Sequence, residues 1–176
     1  MKKILILITC YFLFSGVVFA QSQAEISRDN EGNKVLKGII SRQELETDTS
    51  FSWWAENLKG YTPQSQALSE LKKNHNIEFI AFIGTWCSDS KFIIPKFYSF
   101  IDAAGFPADR ITLIGVDRSK KTLSHLAEAM NIVDVPTIIV MKDGKEAGRV
   151  VEYGKYGLFD KELGEIIASI PTSPGQ

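Results

Sequence analysis

Ile77-Glu78-Phe79-Ile80-Ala81-Phe82-Ile83-Gly84-Thr85-Trp86-Cys87-Ser88-Asp89-Ser90-Lys91 is the stretch from which the rest of this chain can be read. Residues 77–83 form a nearly continuous apolar run, too short for a buried helix and of the length expected for a strand covered on both faces. From Ser88 to Ala103 the period changes, and Phe92, Ile93, Phe97, Phe100 and Ile101 recur as one broad helical face. Cys87 stands at the junction, which places its sulfur at a helix N-terminus. Unpaired N–H groups and the positive end of the helix dipole favour a thiolate there by about 0.3–1 kcal/mol. The N–H groups of Asp89 and Ser90 and the Ser90 hydroxyl are the candidate hydrogen-bond donors.

Downstream the alternation continues. Ile111 to Val116 reads as a second buried strand and Lys120 to Met130 as a second helix carrying Leu123, Leu126 and Ala127. Val135 to Met141 is a third strand, Lys142-Asp143-Gly144-Lys145 a hairpin turn, Glu146 to Tyr153 a fourth strand, and Phe159 to Ile170 a closing helix. This order predicts an α/β fold, a mixed central sheet with helices on both faces. The βαβ crossover makes the first two strands parallel and the tight turn makes the last two antiparallel.

Upstream, Val35 to Ile40 reads as a short strand, and Ser41-Arg42-Gln43-Glu44 fits a capping box that opens a short helix. Phe51, Trp53, Trp54 and Tyr61 form an aromatic helical extension, expected to pack onto the domain. Thr62-Pro63 is expected to start a helix running through Leu71. Gln21 to Lys34 is polar without an apolar period and reads as a flexible linker. Three sections result: a leader over 1–20, a linker with short N-terminal elements over 21–50, and the main domain over 51–176.

The leader reading rests on Lys2 and Lys3, the apolar stretch Ile4 to Phe14, and the small-x-small site Val18-Phe19-Ala20 before Gln21. Ile4 to Ala20 falls short of the roughly 20 apolar residues of a membrane span. A lipid-anchored Cys10 would follow only a short apolar core and the unusual Thr9. Cleavage leaves 156 residues with 18 basic and 21 acidic side chains, a balance that does not attract nucleic acid. It also leaves Cys87 as the sole thiol of a chain expected in the periplasm or outside the cell, so no internal disulfide can form.

Trp86-Cys87, Lys91 after them, Pro95 eight residues beyond the cysteine, the segment Met130 to Thr137 around Val135-Pro136, and the final Asp143-Gly144 hairpin together resemble the thioredoxin superfamily over about residues 77–170. The aromatic extension and Gly148 to Glu152 further resemble exported thioredoxin-like proteins of the Bacteroidetes group. Two departures matter. Ser90 stands where the family carries its second cysteine, giving Cys-x-x-Ser in place of Cys-x-x-Cys, and Ala81 stands where the family commonly buries an acid. The absences agree, because a buried carboxyl without a thiol to deprotonate carries a desolvation cost of several kcal/mol.

The resemblance implies a monothiol protein that forms mixed disulfides with protein or small-molecule thiols and disulfides and is released by an external thiol reductant, without a cofactor. Cys87 would be the nucleophile and Ser90 its hydrogen-bond partner. Trp86 would pack beside the sulfur, and Val135, ahead of a cis Pro136, would pair through its backbone with extended substrate. The alternative is a small, inert Cys87 in a thioredoxin fold used only for binding. A one-cysteine peroxidase would call for an arginine beside the thiol, and none is near in sequence. Asp89 reads as a dipole-stabilising acid, and Arg149 and Glu152, three apart on a strand, should face opposite sides. His75 and His125 have no cysteine or carboxylate cluster beside them, so no metal site is expected.

Overall fold

A computed structural model of the chain describes residues 24–171. The expected leader, Cys10, and Gln21 to Gln23 of the expected linker lie outside the described residues. The apolar run after Asn76 becomes β3 (Glu78–Ile83), which enters α4 (Ser88–Ala104) through a tight loop. Before it come β1 (Ala24–Arg28), β2 (Lys34–Ile40), α1 (Arg42–Thr47), α2 (Trp53–Asn57) and α3 (Ser65–Lys73). After it come β4 (Ile111–Gly115), α5 (Leu126–Ala129), β5 (Thr137–Lys142), β6 (Lys145–Val151) and α6 (Phe159–Ser169).

Among the described residues these strands form one six-stranded sheet in the order β1-β2-β4-β3-β5-β6. β3 and β4 are parallel, as a helical crossover requires, and the other pairings are antiparallel. Alternation along β3 explains its unbroken hydrophobicity. Phe79, Ala81 and Ile83 face the larger core, which α4 and α6 cover with Ile93, Phe97, Phe100, Leu163 and Ile167. Phe82 faces a smaller core with Ile114, Ala127, Val135 and Ile139 on the opposite side. This is the thioredoxin-like α/β architecture, a mixed sheet flanked by helices. No helix among the described residues is long and apolar enough to cross a membrane.

The linker reading of residues 21–34 is corrected over Ala24–Arg28, which pair antiparallel with Lys34–Gly38 as β1. Because β1 is an edge strand with Glu25 to Arg28 exposed, it shows no apolar alternation to betray it. The sheet therefore begins well before residue 51. Ser41 does cap α1, its hydroxyl accepting the Glu44 N–H at 3.1 Å. The helix expected from Thr62-Pro63 starts instead at Ser65. Asp160, buried at the start of α6, accepts the Gln64 N–H and the Tyr61 hydroxyl, each at 2.9 Å, so a distant carboxylate fixes this entry.

The helix expected over Lys120 to Met130 shrinks to α5 and a preceding single turn. Asp117 captures the chain there, accepting the N–H groups of Ser119 and Lys121, and Lys120, Ser124 and His125 take positive φ. Trp54 is buried against Tyr98 with ring centroids 5.6 Å apart, so α2 does pack onto α4. Arg149 pairs with Glu146 three residues away, because a bulge at Val140/Met141 breaks the strict alternation of β6.

Candidate functional site

Cys87 is the N-cap of α4, with extended backbone (φ −82°, ψ 129°) before the helix begins. Its carbonyl accepts the Lys91 N–H at 3.0 Å and its own N–H donates to the Gly84 carbonyl at 2.9 Å, which fixes the loop between strand and helix. The sulfur is half-buried and donates to the Val135 carbonyl at 3.1 Å. Val135 precedes Pro136 through a cis peptide bond, and both are buried. Two sequence-predicted segments separated by 48 residues thus meet at the thiol.

Trp86 lies beside them. Its indole N–H donates to the Val116 carbonyl at 3.0 Å. The ring lies so close over Gly84 that a Cβ there would come within 2.7 Å of it, which is why glycine follows the end of β3. Ser90 is placed differently from expectation. Its hydroxyl is buried beneath the loop, where it accepts the Gly84 N–H at 3.1 Å, and it makes no hydrogen bond to the sulfur. Ala81 is fully buried in the larger core among apolar neighbours, with no acid in its place.

Three residues at the site escaped the sequence reading. Tyr153, just beyond β6, donates to Asp89 at 3.2 Å and packs on Phe92 with ring centroids 5.7 Å apart. Partial burial, and then the Asp89 charge beside it, push the Tyr153 phenol above its ordinary range. Asp89 is thereby a hydrogen-bond acceptor on the rim as well as an acid in the first turn. The Asp143-Gly144 turn held the signal, since counting outward from it brings the residues beyond β6 alongside Val135-Pro136. The Glu152 N–H indeed donates to the Pro136 carbonyl at 2.7 Å.

Arg118 is the second, its guanidinium 5.2 Å from the centroid of the Trp86 ring. It reaches that ring from the loop after β4. It is bound to the third residue, Asp29, at 2.8 Å, and to Glu31 at 2.7 Å. Burial opposes ionisation of Asp29, but hydrogen bonds from Asn33 and Arg118 and from the backbone of Asn33 and Glu31 outweigh it and hold the carboxyl at about 2. No short-range pattern in the sequence links positions 29 and 118.

Among the described residues no three His, Cys, Asp or Glu side chains are grouped to hold a metal ion. His75 packs edge-on against Phe106, and His125 lies 3.5 Å from Glu128.

Comparison with known proteins places this geometry in context. The thioredoxin family model matches residues 62–161. A thioredoxin of Chlamydia pneumoniae is 34% identical over 84 residues, covering 48% of this chain and 72% of that protein. An H-type thioredoxin of Oryza sativa subsp. indica is 32% identical over 84 residues, and a thioredoxin-2 of Pyricularia oryzae 29% identical over 87. The matches cover 48% and 49% of this chain, and the chain spans only 64% of the length of the rice protein and 47% of the fungal one. Among solved structures, oxidized thioredoxin O2 of Arabidopsis thaliana is 21% identical with a TM-score of 0.39, covering 60% of this chain and 84% of that one. A Pseudomonas aeruginosa protein of unknown function is 14% identical with a TM-score of 0.49, covering 72% and 87%.

Proposed function

Because the chain belongs to the thioredoxin family, we propose that it is an exported protein that exchanges disulfides through one cysteine, Cys87. The supporting observation is the position of the sulfur, half-buried at the start of α4 and 3.1 Å from the Val135 carbonyl. An extended substrate segment can reach the sulfur and the Val135 backbone together. In the forward step the Cys87 thiolate attacks one sulfur of a substrate disulfide. A new Sγ–S bond forms as the substrate S–S bond breaks, and the departing sulfur leaves with the electron pair and takes a proton from solvent.

Ser90 offers no second thiol, so the mixed disulfide persists until the thiolate of an external reductant attacks it and releases Cys87. Trp86, the residue before Cys87, is tied to the Val116 carbonyl, and the Val135 carbonyl lies against the sulfur. The leader over 1–20 directs the chain to the periplasm, and the mature N-terminus is then Gln21. Mass spectrometry of that terminus tests the export reading, and a diacylated Cys10 start would overturn it.

The exchange reading is tested by isolating mixed disulfides from the native compartment and identifying what is attached to Cys87, with Cys87→Ala as control. Adducts lost in the control support it. A second reading, a binding module without redox chemistry, is favoured by the hydrogen bond from the thiol to Val135, which is available only to the protonated sulfur. Labelling of Cys87 by iodoacetamide at neutral pH no faster than that of a cysteine in an unstructured peptide, together with an absence of adducts, would decide for the module.

A further inference from the structure

A cavity of about 250 Å³ lies between the β1–β2 turn and the thiol loop, lined by Arg28, Glu31, Lys34, Trp53, Thr85 and Lys91 among others. Its charges are unevenly matched. Lys34 is held by Asp48 at 2.6 Å and Glu44 at 3.9 Å, and the Glu31 carboxylate is drawn to Arg118. Arg28 meets only the Gly32 carbonyl, at 2.9 Å, and Lys91 only the Asn33 amide oxygen, at 3.5 Å. Neither has a carboxylate within ion-pair distance among the described residues. Both partners are neutral acceptors, and an incoming carboxylate competes well with these because it adds the attraction of an opposite charge, and with Arg28 a two-pronged hydrogen bond, that a neutral oxygen does not supply.

The cavity is walled in part by the loop and first helical turn that carry Cys87. Lys91 donates its N–H to the Cys87 carbonyl one helical turn away, and Thr85 precedes the cysteine by two residues. Trp53, partly buried and packed on Phe51, supplies an apolar wall.

We propose that this cavity binds a carboxylate of the molecule that reacts at Cys87, so that the favoured substrates are small carboxylate-bearing thiols or disulfides, an inference that rests on the exchange reading above. Arg28 and Lys91 grip the carboxylate, Trp53 holds the attached carbon chain, and the reacting sulfur is delivered to the start of α4.

Two measurements test it. In the first, Cys87→Ser protein is titrated with N-acetylglutamate and, separately, with the uncharged N-acetylglutamine amide, and the Trp53 indole N–H is followed by NMR after assignment with Trp53→Phe. A saturable shift at millimolar N-acetylglutamate, absent with the amide and weakened at least severalfold by Arg28→Gln or Lys91→Gln, is expected. An equal response to both probes, or none, overturns the cavity assignment whatever the thiol does. In the second, the native chain reacts with dithiobis-nitrobenzoate, which carries a carboxylate on each ring, and with uncharged dithiodipyridine. The ratio of the two rates should fall roughly three- to tenfold in Arg28→Gln. Lys145→Gln, with the same change in net charge at the far hairpin turn, should keep the native ratio. An unchanged ratio in Arg28→Gln removes the link between the cavity and Cys87. Failure of both reagents to react overturns the exchange reading itself, and leaves the Trp53 titration to decide the cavity.

Discussion

The β3-α4-β4 unit and the β1–β2 hairpin meet at the loop before Cys87, yet they are held by opposite means. In the first, Phe79, Ile83, Ile93, Phe97 and Phe100 are fully buried, and nothing in their packing depends on charge. In the second, Leu36 and Ile40 anchor the inner strand, but Ile26 is 59% exposed and the turn is fixed by Asp29, which links Asn33, Glu31 and Arg118. Apolar burial makes the platform that presents Cys87. A polar clamp between residues far apart in sequence sets the rim beside it. The difference teaches that scaffold and rim should respond to different perturbations.

The largest effect is expected from Phe97→Ala. Removing a fully buried ring between β3 and α4 should cost about 3–5 kcal/mol, read from urea unfolding, and should weaken the whole molecule in one transition. Loss confined to the hairpin would break the distinction. Ser90→Ala comes next. It leaves the buried Gly84 N–H without its acceptor and should cost about 1–3 kcal/mol in the same assay. An unchanged midpoint would mean that Ser90 is placed for the thiol and not for the loop.

Arg118→Gln should do less to global stability, and its effect should be local. Amide hydrogen exchange in β1 and the following turn should quicken severalfold while β3 and α4 keep their protection. High salt should shrink the difference from the native chain, because exposed ion pairs are screened. Slower exchange, or a change spread evenly over the sheet, would contradict the clamp.

The smallest effect is the pH response of that clamp. The folded Asp29 carboxyl sits at about 2, below its ordinary value of 3.8, so ionised Asp29 stabilises the fold. That contribution is present above about 3.8 and is lost as pH falls through about 2. The Trp86 indole signal, next to Arg118, should therefore hold steady from neutral pH down to about 4 and move only in stronger acid. Asp29→Asn should remove that acid step. A step persisting in this variant would assign it to another carboxylate.

Much of the scaffold was legible because burial leaves a period. The run before Gly84 announced a strand covered on both faces, the stripe of Phe92, Ile93 and Phe97 announced a helix, and Asp143-Gly144 announced the hairpin through two residues that both take positive φ. The edge strand β1 left no such trace, since a strand with one neighbour and an exposed face needs no apolar alternation. The start of α3 was misplaced for a related reason: its orphan N–H is met by Asp160 from another element, so the local residues carry no cap signal.

By itself the sequence determined that Cys87 opens a long helix after a buried strand, with a serine three residues on where a second thiol would close a pair. Those are properties of neighbours in the chain, governed by period and by helix-end chemistry. Only the tertiary structure decided that Val135 meets the sulfur, that Ser90 turns inward to Gly84, that Tyr153 reaches Asp89, and that Asp29 and Arg118 close the rim beside Trp86. Each of these depends on strand register and loop path, which bring together groups that are distant along the chain and that no local preference couples.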